Sequence, residues 1–206
     1  GKEVPAEVLE GERKAKENSR PHVTFYDANY DKVIANDKNP EKSKIQQFFR
    51  TLAICHDVIA ERVDGQVKLS ASNPDDEALV CASEYFGYAF SDRRDKFVVL
   101  KTNNATDDTE EVELLDSIEF SSKRKRMSVI VREPDGEIRL YIKGADTAIN
   151  ERLRKGQAKL SEKTNDDMSQ FSSEGLRCLL VGYADIDENR YKKWKEDYKN
   201  VKIDLV

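Results

Sequence analysis

The chain has 206 residues, enough for one large domain or two small ones. Charged residues make up 36% and the formal net charge is −5, a mildly acidic balance that argues against a general nucleic-acid binder, which needs a dominant basic surface. No run of about 18 apolar residues occurs, so the sequence predicts no membrane-spanning helix, and its start carries no signal-peptide pattern.

Residues 1–21 are charged and poorly periodic, and Glu7 to Arg20 reads as a solvated, linker-like segment. His22 to Tyr26 is predicted as a short strand leading into a compact domain over residues 22–200, with 201–206 as a terminal linker. Pro40 opens a helix whose Ile45, Phe48, Phe49 and Leu52 form one apolar stripe. Two strand-like runs, Val58 to Val63 and Gln66 to Leu69, flank the hairpin turn Asp64-Gly65. Asn73-Pro74-Asp75-Asp76 starts a second helix, with proline near its first position and acids in its first turn. Asp75 reads there as either a cap or a ligand.

Phe97 to Lys101 is predicted as a strand, Thr102 to Glu111 as a loop, and Val112 to Phe120 and Met127 to Arg132 as strands around a basic connector. Ile138, Leu140 and Ile142 alternate on a further strand after the turn Glu133-Pro134-Asp135-Gly136. Helices follow at Asp146 to Leu153 and Ser161 to Phe171, the second ended by Gly175. Leu176 to Ala184 is apolar and long enough for a central strand, and Asp187 caps a last helix with Tyr191, Trp194 and Tyr198 on one face. Consecutive hairpins with inserted helices favour an α+β fold with a mainly antiparallel, twisted sheet flanked by helices.

Neither a GxxxxGK[ST] loop nor a GxGxxG loop is present. Two histidines and three scattered cysteines offer no metal-ligand spacing. His56 reads as a structural histidine, and Cys55, Cys81 and Cys178 as buried reduced thiols of a cytosolic domain. Glu119 to Val129 is the most informative stretch. An aromatic ring beside four cations suits a nucleotide, the ring stacking on a base and the cations meeting phosphates. Taken by itself, Phe120 on an alternating strand reads as core, and Lys123 and Arg124 as solvent-facing. Arg177, between Leu176 and Cys178, places a charge in an apolar strand, where it needs a partner or a cleft.

These segments together resemble the nucleotide-binding domain of P-type ATPases, most closely that of the phospholipid flippases (the type IV branch). The resemblance rests on Phe25-Tyr26-Asp27, Leu-Ala-x-Cys-His at Leu52 to His56, and Asn73 to Leu79. It continues through Phe-Ser-x-x-x-Lys-x-Met-Ser-Val at Phe120 to Val129, Lys-Gly-Ala-Asp-Thr at Lys143 to Thr147, Gly-Leu-Arg at Gly175 to Arg177, and the tail Ala184 to Trp194. It implies an ATP site in which Phe120 stacks on adenine and Asp76 accepts from the adenine amine. Lys125 and Lys143 line the pocket, Arg177 binds phosphate oxygens, and Ser121 and Ser173 add hydrogen bonds. Glu77, Met127 and Gly144 are secondary candidates. The family usually has Glu where Asp76 stands, so Glu77 is the alternative adenine acceptor, and Met127 reads as packing under the base or as core filling.

The resemblance also implies a cytosolic domain of an integral membrane protein that reaches the membrane only through its parent chain. That parent would phosphorylate an aspartate in a D-K-T-G-T motif, which is not in this sequence. The domain would hold ATP, with Mg²⁺ bound mainly outside it, and work with phosphorylation and actuator domains and an accessory subunit. It would have no catalytic residue and no metal site of its own, and no nucleic-acid partner. The rival readings are the equivalent domain of a cation pump and an interaction module that keeps the fold without nucleotide.

Overall fold

The computed structural model describes residues 5–17, 23–63, 66–102 and 108–203. The Asp64-Gly65 turn, the start of the predicted strand at His22 and the last three residues lie outside these. The helices are α1 (Ala6–Glu17), α2 (Ala28–Ala35), α3 (Pro40–Ile54), α4 (Pro74–Tyr85), α5 (Asp146–Asn150), α6 (Ala158–Ser173) and α7 (Glu188–Ile203). The strands are β1 (Ile59–Val63), β2 (Gln66–Ser70), β3 (Ala89–Arg94), β4 (Phe97–Lys101), β5 (Thr109–Ile118), β6 (Arg126–Arg132), β7 (Ile138–Gly144) and β8 (Leu180–Ile186). Among the described residues, β1 and β2 form a hairpin and the others a six-stranded sheet in the order β3-β4-β5-β6-β7-β8. The predicted α+β architecture is therefore the observed one. No described helix is long and apolar enough to cross a membrane.

The chain divides into two compact units. The first comprises residues 1–94 and 99–110, the second residues 95–98 and 111–206. In the first unit, Asn39 and Asn73 cap α3 and α4 by accepting the amides of Glu41 and Asp75, and each helix has proline in its first turn. Asp75 is thus the donor in the cap, not the capping residue. The apolar stripe of α3 splits in two. Leu52 is buried, whereas Phe49 stacks on Phe86 at 3.9 Å within an aromatic cluster that also holds Phe25 and Tyr30. Such ring pairs add about 0.5–1.5 kcal/mol each beyond their buried area. Residues 6–17 form a helix where poor periodicity pointed to a linker, and Ala15 on it is buried.

His56 is fully buried, with Nε2 donating to the Ala53 carbonyl at 2.9 Å and Nδ1 accepting the Val58 amide at 3.0 Å. Both ring nitrogens are consumed by backbone, so the histidine is structural. Cys55 and Cys81 are buried, but Cys178 is half-exposed, a correction to the reading of three buried thiols. Burial, followed by Glu84 and Glu77, pushes the Cys81 thiol up. Native protein treated with iodoacetamide should be alkylated at Cys178 first, with Cys55 and Cys81 protected until denaturant is added. Equal rates at all three in a peptide mass map would refute this.

In the second unit β5 to β8 are antiparallel neighbours, with a bulge in β5 between Leu114 and Asp116. Alternation then sorts the side chains. Arg126, Ser128 and Ile130 share a face with Gly144, Ile142 and Leu140, while Met127, Val129 and Val131 share the other with Lys143, Tyr141 and Arg139. α7 serves the first face: the Tyr191 hydroxyl donates to Asp116 at 2.9 Å, and Lys195 pairs with the same carboxylate. Asp187 caps α7 as predicted, accepting the Arg190 amide at 2.9 Å.

β8 lies at the sheet edge with β7 beside it, not in the centre, and its Tyr183 is 58% exposed. Its apolar run begins too early for a strand, because Leu176 to Leu179 precede the ladder and Leu176 and Leu179 are exposed. β3 was not predicted. Its Ser-Asp-Arg-Arg half reads as loop because it lacks the apolar alternation of a half-buried strand.

Candidate functional site

Four antiparallel strand ends converge at one end of the sheet in the second unit. Ile118 closes β5 opposite Ser128, Arg126 opens β6 opposite Gly144, and Gly144 closes β7 opposite Leu180, which opens β8. Phe120, Ser121, Lys125, Lys143 and Gly144 therefore gather at this end, and Arg177 lies three residues before Leu180.

The basic connector is a built turn. The Ser121 hydroxyl accepts the Arg124 amide at 3.2 Å and the Ser121 carbonyl accepts the Lys125 amide at 2.7 Å. The Arg124 guanidinium donates to the carbonyls of Ile118 at 3.1 Å and Glu119 at 2.7 Å. Arg124 is thus a clasp and not a solvated charge, which corrects the sequence reading. The turn leaves Lys125 in the left-handed region at φ 52°, with its carbonyl accepting the Ala145 amide at 2.9 Å. Gly144 makes this approach feasible, because a Cβ there would sit 2.4 Å from the Lys125 carbonyl oxygen.

Two kinds of surface result. Phe120 is 58% exposed, which removes the core reading of its ring, and Ser121 and Lys125 are exposed beside it in sequence. Met127 and Lys143, paired across β6 and β7, are instead withdrawn at 2% and 5% exposure. Met127 is core. Lys143 carries a cation into the wall of the sheet, where burial raises the value of any anion that meets it.

Arg177 is exposed and precedes the strand, so the argument from a charge within an apolar strand does not hold for it. It follows a Schellman ending of α6: the Leu176 amide donates to Phe171 at 3.1 Å and the Gly175 amide to Ser172 at 3.0 Å, with Gly175 at φ 82°. The Ser173 hydroxyl donates to the Gln170 carbonyl at 2.7 Å, a helix-end role. At the start of α5 the Thr147 amide donates to the Asp146 carboxylate at 2.7 Å, so that amide is already engaged.

Asp76 and Glu77 belong to the first unit, in the first turn of α4. Asp76 is 7% exposed, on the face it shares with Val80 and Ser83, and its carboxylate accepts the Asp57 amide at 3.4 Å. Glu77 is half-buried. Beside Asp57 stands a residue the sequence did not flag. Arg93 on β3 donates to the His56 carbonyl at 2.9 Å, and its buried Nε has no acceptor among the described residues. Burial lowers its pKa, opposed by the charge of Asp57. An arginine alternating with Asp92 on a recognised strand would have been the signal.

Residues 44–206 match the family described as P-type ATPase, cytoplasmic domain N. The chain is 40% identical over 176 residues to human phospholipid-transporting ATPase IC, covering 85% of this chain and 14% of that protein. It is 38% identical over 183 residues to the Xenopus tropicalis protein of the same name, covering 89% and 14%. Against Schizosaccharomyces pombe phospholipid-transporting ATPase dnf2 it is 38% identical over 179 residues, covering 86% and 13%. The chain spans 14% of the length of the first of these curated relatives. With its antiparallel sheet, its inserted helices and a match over most of its length, the chain belongs to the P-type ATPase cytoplasmic domain N family, and its similarity extends to phospholipid-transporting ATPases.

Proposed function

We propose that this chain binds ATP as the nucleotide-binding domain of a phospholipid-transporting P-type ATPase, with residues 22–200 as the working domain. The observation that carries the reading is the exposed Phe120 ring at the same sheet end as Lys125, Lys143 and Arg177. Phe120 stacks on adenine, Lys125 and Lys143 supply positive charge, and Arg177 meets phosphate oxygens with a planar fork of donors. Gly144 leaves room for the turn that presents Lys125.

ATP held here is offered to an aspartate in a separate phosphorylation domain, with Mg²⁺ held mainly there. The phosphoenzyme cycle, working with an actuator domain and an accessory subunit, moves phospholipid between leaflets of the parent's membrane. The names of the relatives favour lipid over cation as cargo. Without that aspartate the chain by itself binds and does not turn over.

An NMR titration with ATP tests the binding. Backbone shifts should cluster at Phe120, Lys125, Lys143 and Arg177 and saturate at millimolar nucleotide. A titration in which these signals stay put would overturn the proposal.

A further inference from the structure

The sheet face opposite Met127 and Lys143 carries a cavity. It has a volume of about 310 Å³ and opens beside α7 in the second unit, at the lower end of the size range of small-molecule pockets. Ile118, Ile130, Leu140, Ile142 and Trp194 give it an apolar floor. Arg124, Arg126, Arg152 and Arg190 also line it. Phe120, Lys125, Lys143 and Arg177 do not. The strand register explains the separation: Arg126, Ser128 and Ile130 point to the cavity face, and Met127 and Lys143 to the other.

This concentration of positive charge is poorly compensated. Arg124 donates to two carbonyls and to the Ser128 hydroxyl at 3.4 Å, and Arg126 donates to the Arg124 carbonyl at 2.8 Å. Among the described residues neither meets a carboxylate. Glu151, the nearby acid, is taken by Arg152 at 3.1 Å. Burial and then the charges of Arg152 and Arg124 lower the pKa of Arg126, and the charge of Glu151 opposes them only in part. Within a chain of net charge −5, such a cluster is a local positive field that attracts an anion. A carboxylate has two oxygens and satisfies one guanidinium fork, whereas a phosphate monoester has three terminal oxygens and a second charge. The floor adds the requirement of an apolar substituent.

We propose that this cavity binds a phosphate monoester bearing a short apolar chain, an anionic amphiphile, at a site separate from the nucleotide residues. The ligand's phosphate meets the arginines and its chain lies on the isoleucines against Trp194. A single-chain alkyl phosphate and a diacyl phosphatidate share this chemistry.

Trp194 is the single tryptophan of the chain and lines the cavity, so its fluorescence reports occupancy. Hexyl phosphate should give a saturable change, far stronger than inorganic phosphate, hexanol or hexanoate at equal concentration. Dihexanoyl phosphatidate, kept monomeric, separates the sources: a response assigns the site to lipid, and silence with hexyl phosphate still active assigns it to single-chain monoesters. Arg126→Gln and, independently, Arg190→Gln should each weaken binding about tenfold or more, since hydrogen bonds to charged groups contribute at that scale. Circular dichroism checks that both variants stay folded. Saturating ATP should leave the response in place. No response, an equal response to hexanol, hexanoate or phosphate, indifference to both variants, or displacement by ATP would each overturn the proposal. Because the readout does not require ATP to bind, failure here is distinguishable from failure of the nucleotide reading.

Discussion

Gly144→Ala should destabilise the second unit by about 3 kcal/mol, the upper part of the usual range for overpacking a tight site. The added Cβ would lie 2.4 Å from the Lys125 carbonyl oxygen, 2.6 Å from Arg126 Cβ and 2.7 Å from Arg126 Cα. Two of these three atoms are backbone, so no flexible side chain can swing aside. Retreat is blocked from the other side as well. The Lys125 carbonyl accepts the Ala145 amide, the Lys125 amide is bound by Ser121, and Arg124 ties the turn to the end of β5. Urea denaturation followed by circular dichroism measures the change as a lower midpoint. An unchanged midpoint would show that the β6–β7 end relaxes at little cost, and the close approach would lose its significance.

Phe120→Ala should do the reverse. With the ring 58% exposed, the urea midpoint should move by no more than about 0.5 kcal/mol's worth, as at most surface positions. ATP affinity should fall about 5- to 150-fold, the equivalent of the roughly 1–3 kcal/mol that base–aromatic stacking contributes. Calorimetric titration of the wild type and variant decides it. A variant that loses stability and keeps its affinity would make Phe120 a packing residue. The two substitutions lie at the same sheet end, and their opposite signatures separate the frame of the site from its contact surface.

Much of the frame is legible in the sequence alone. α3 and α4 announced themselves through proline in the first turn and apolar spacing, and α7 through its Asp187 cap, because those signals arise from local backbone chemistry. Gly175 did so for the same reason, through a left-handed helix ending. β3 escaped because its second half is polar, and periodicity is silent when alternation is missing. β8 was misplaced because apolar content does not distinguish a central strand from an edge strand whose lead-in is exposed. Arg177 followed it, read as embedded and found on the surface.

The sequence by itself determined the fold class, the family and the order of the residues proposed for the nucleotide, since these depend on short motifs and local patterns. Tertiary structure decided what each residue of those motifs is used for. Within one basic run, Arg124 became a clasp, Lys125 was turned outward at φ 52°, and Arg126 faced a cavity on the sheet face opposite Lys143. The physical reason is the two-residue period of a strand joined to the register of its neighbours. Adjacent letters fall on opposite faces, and the pairing partner, absent from local sequence, sets what each face meets.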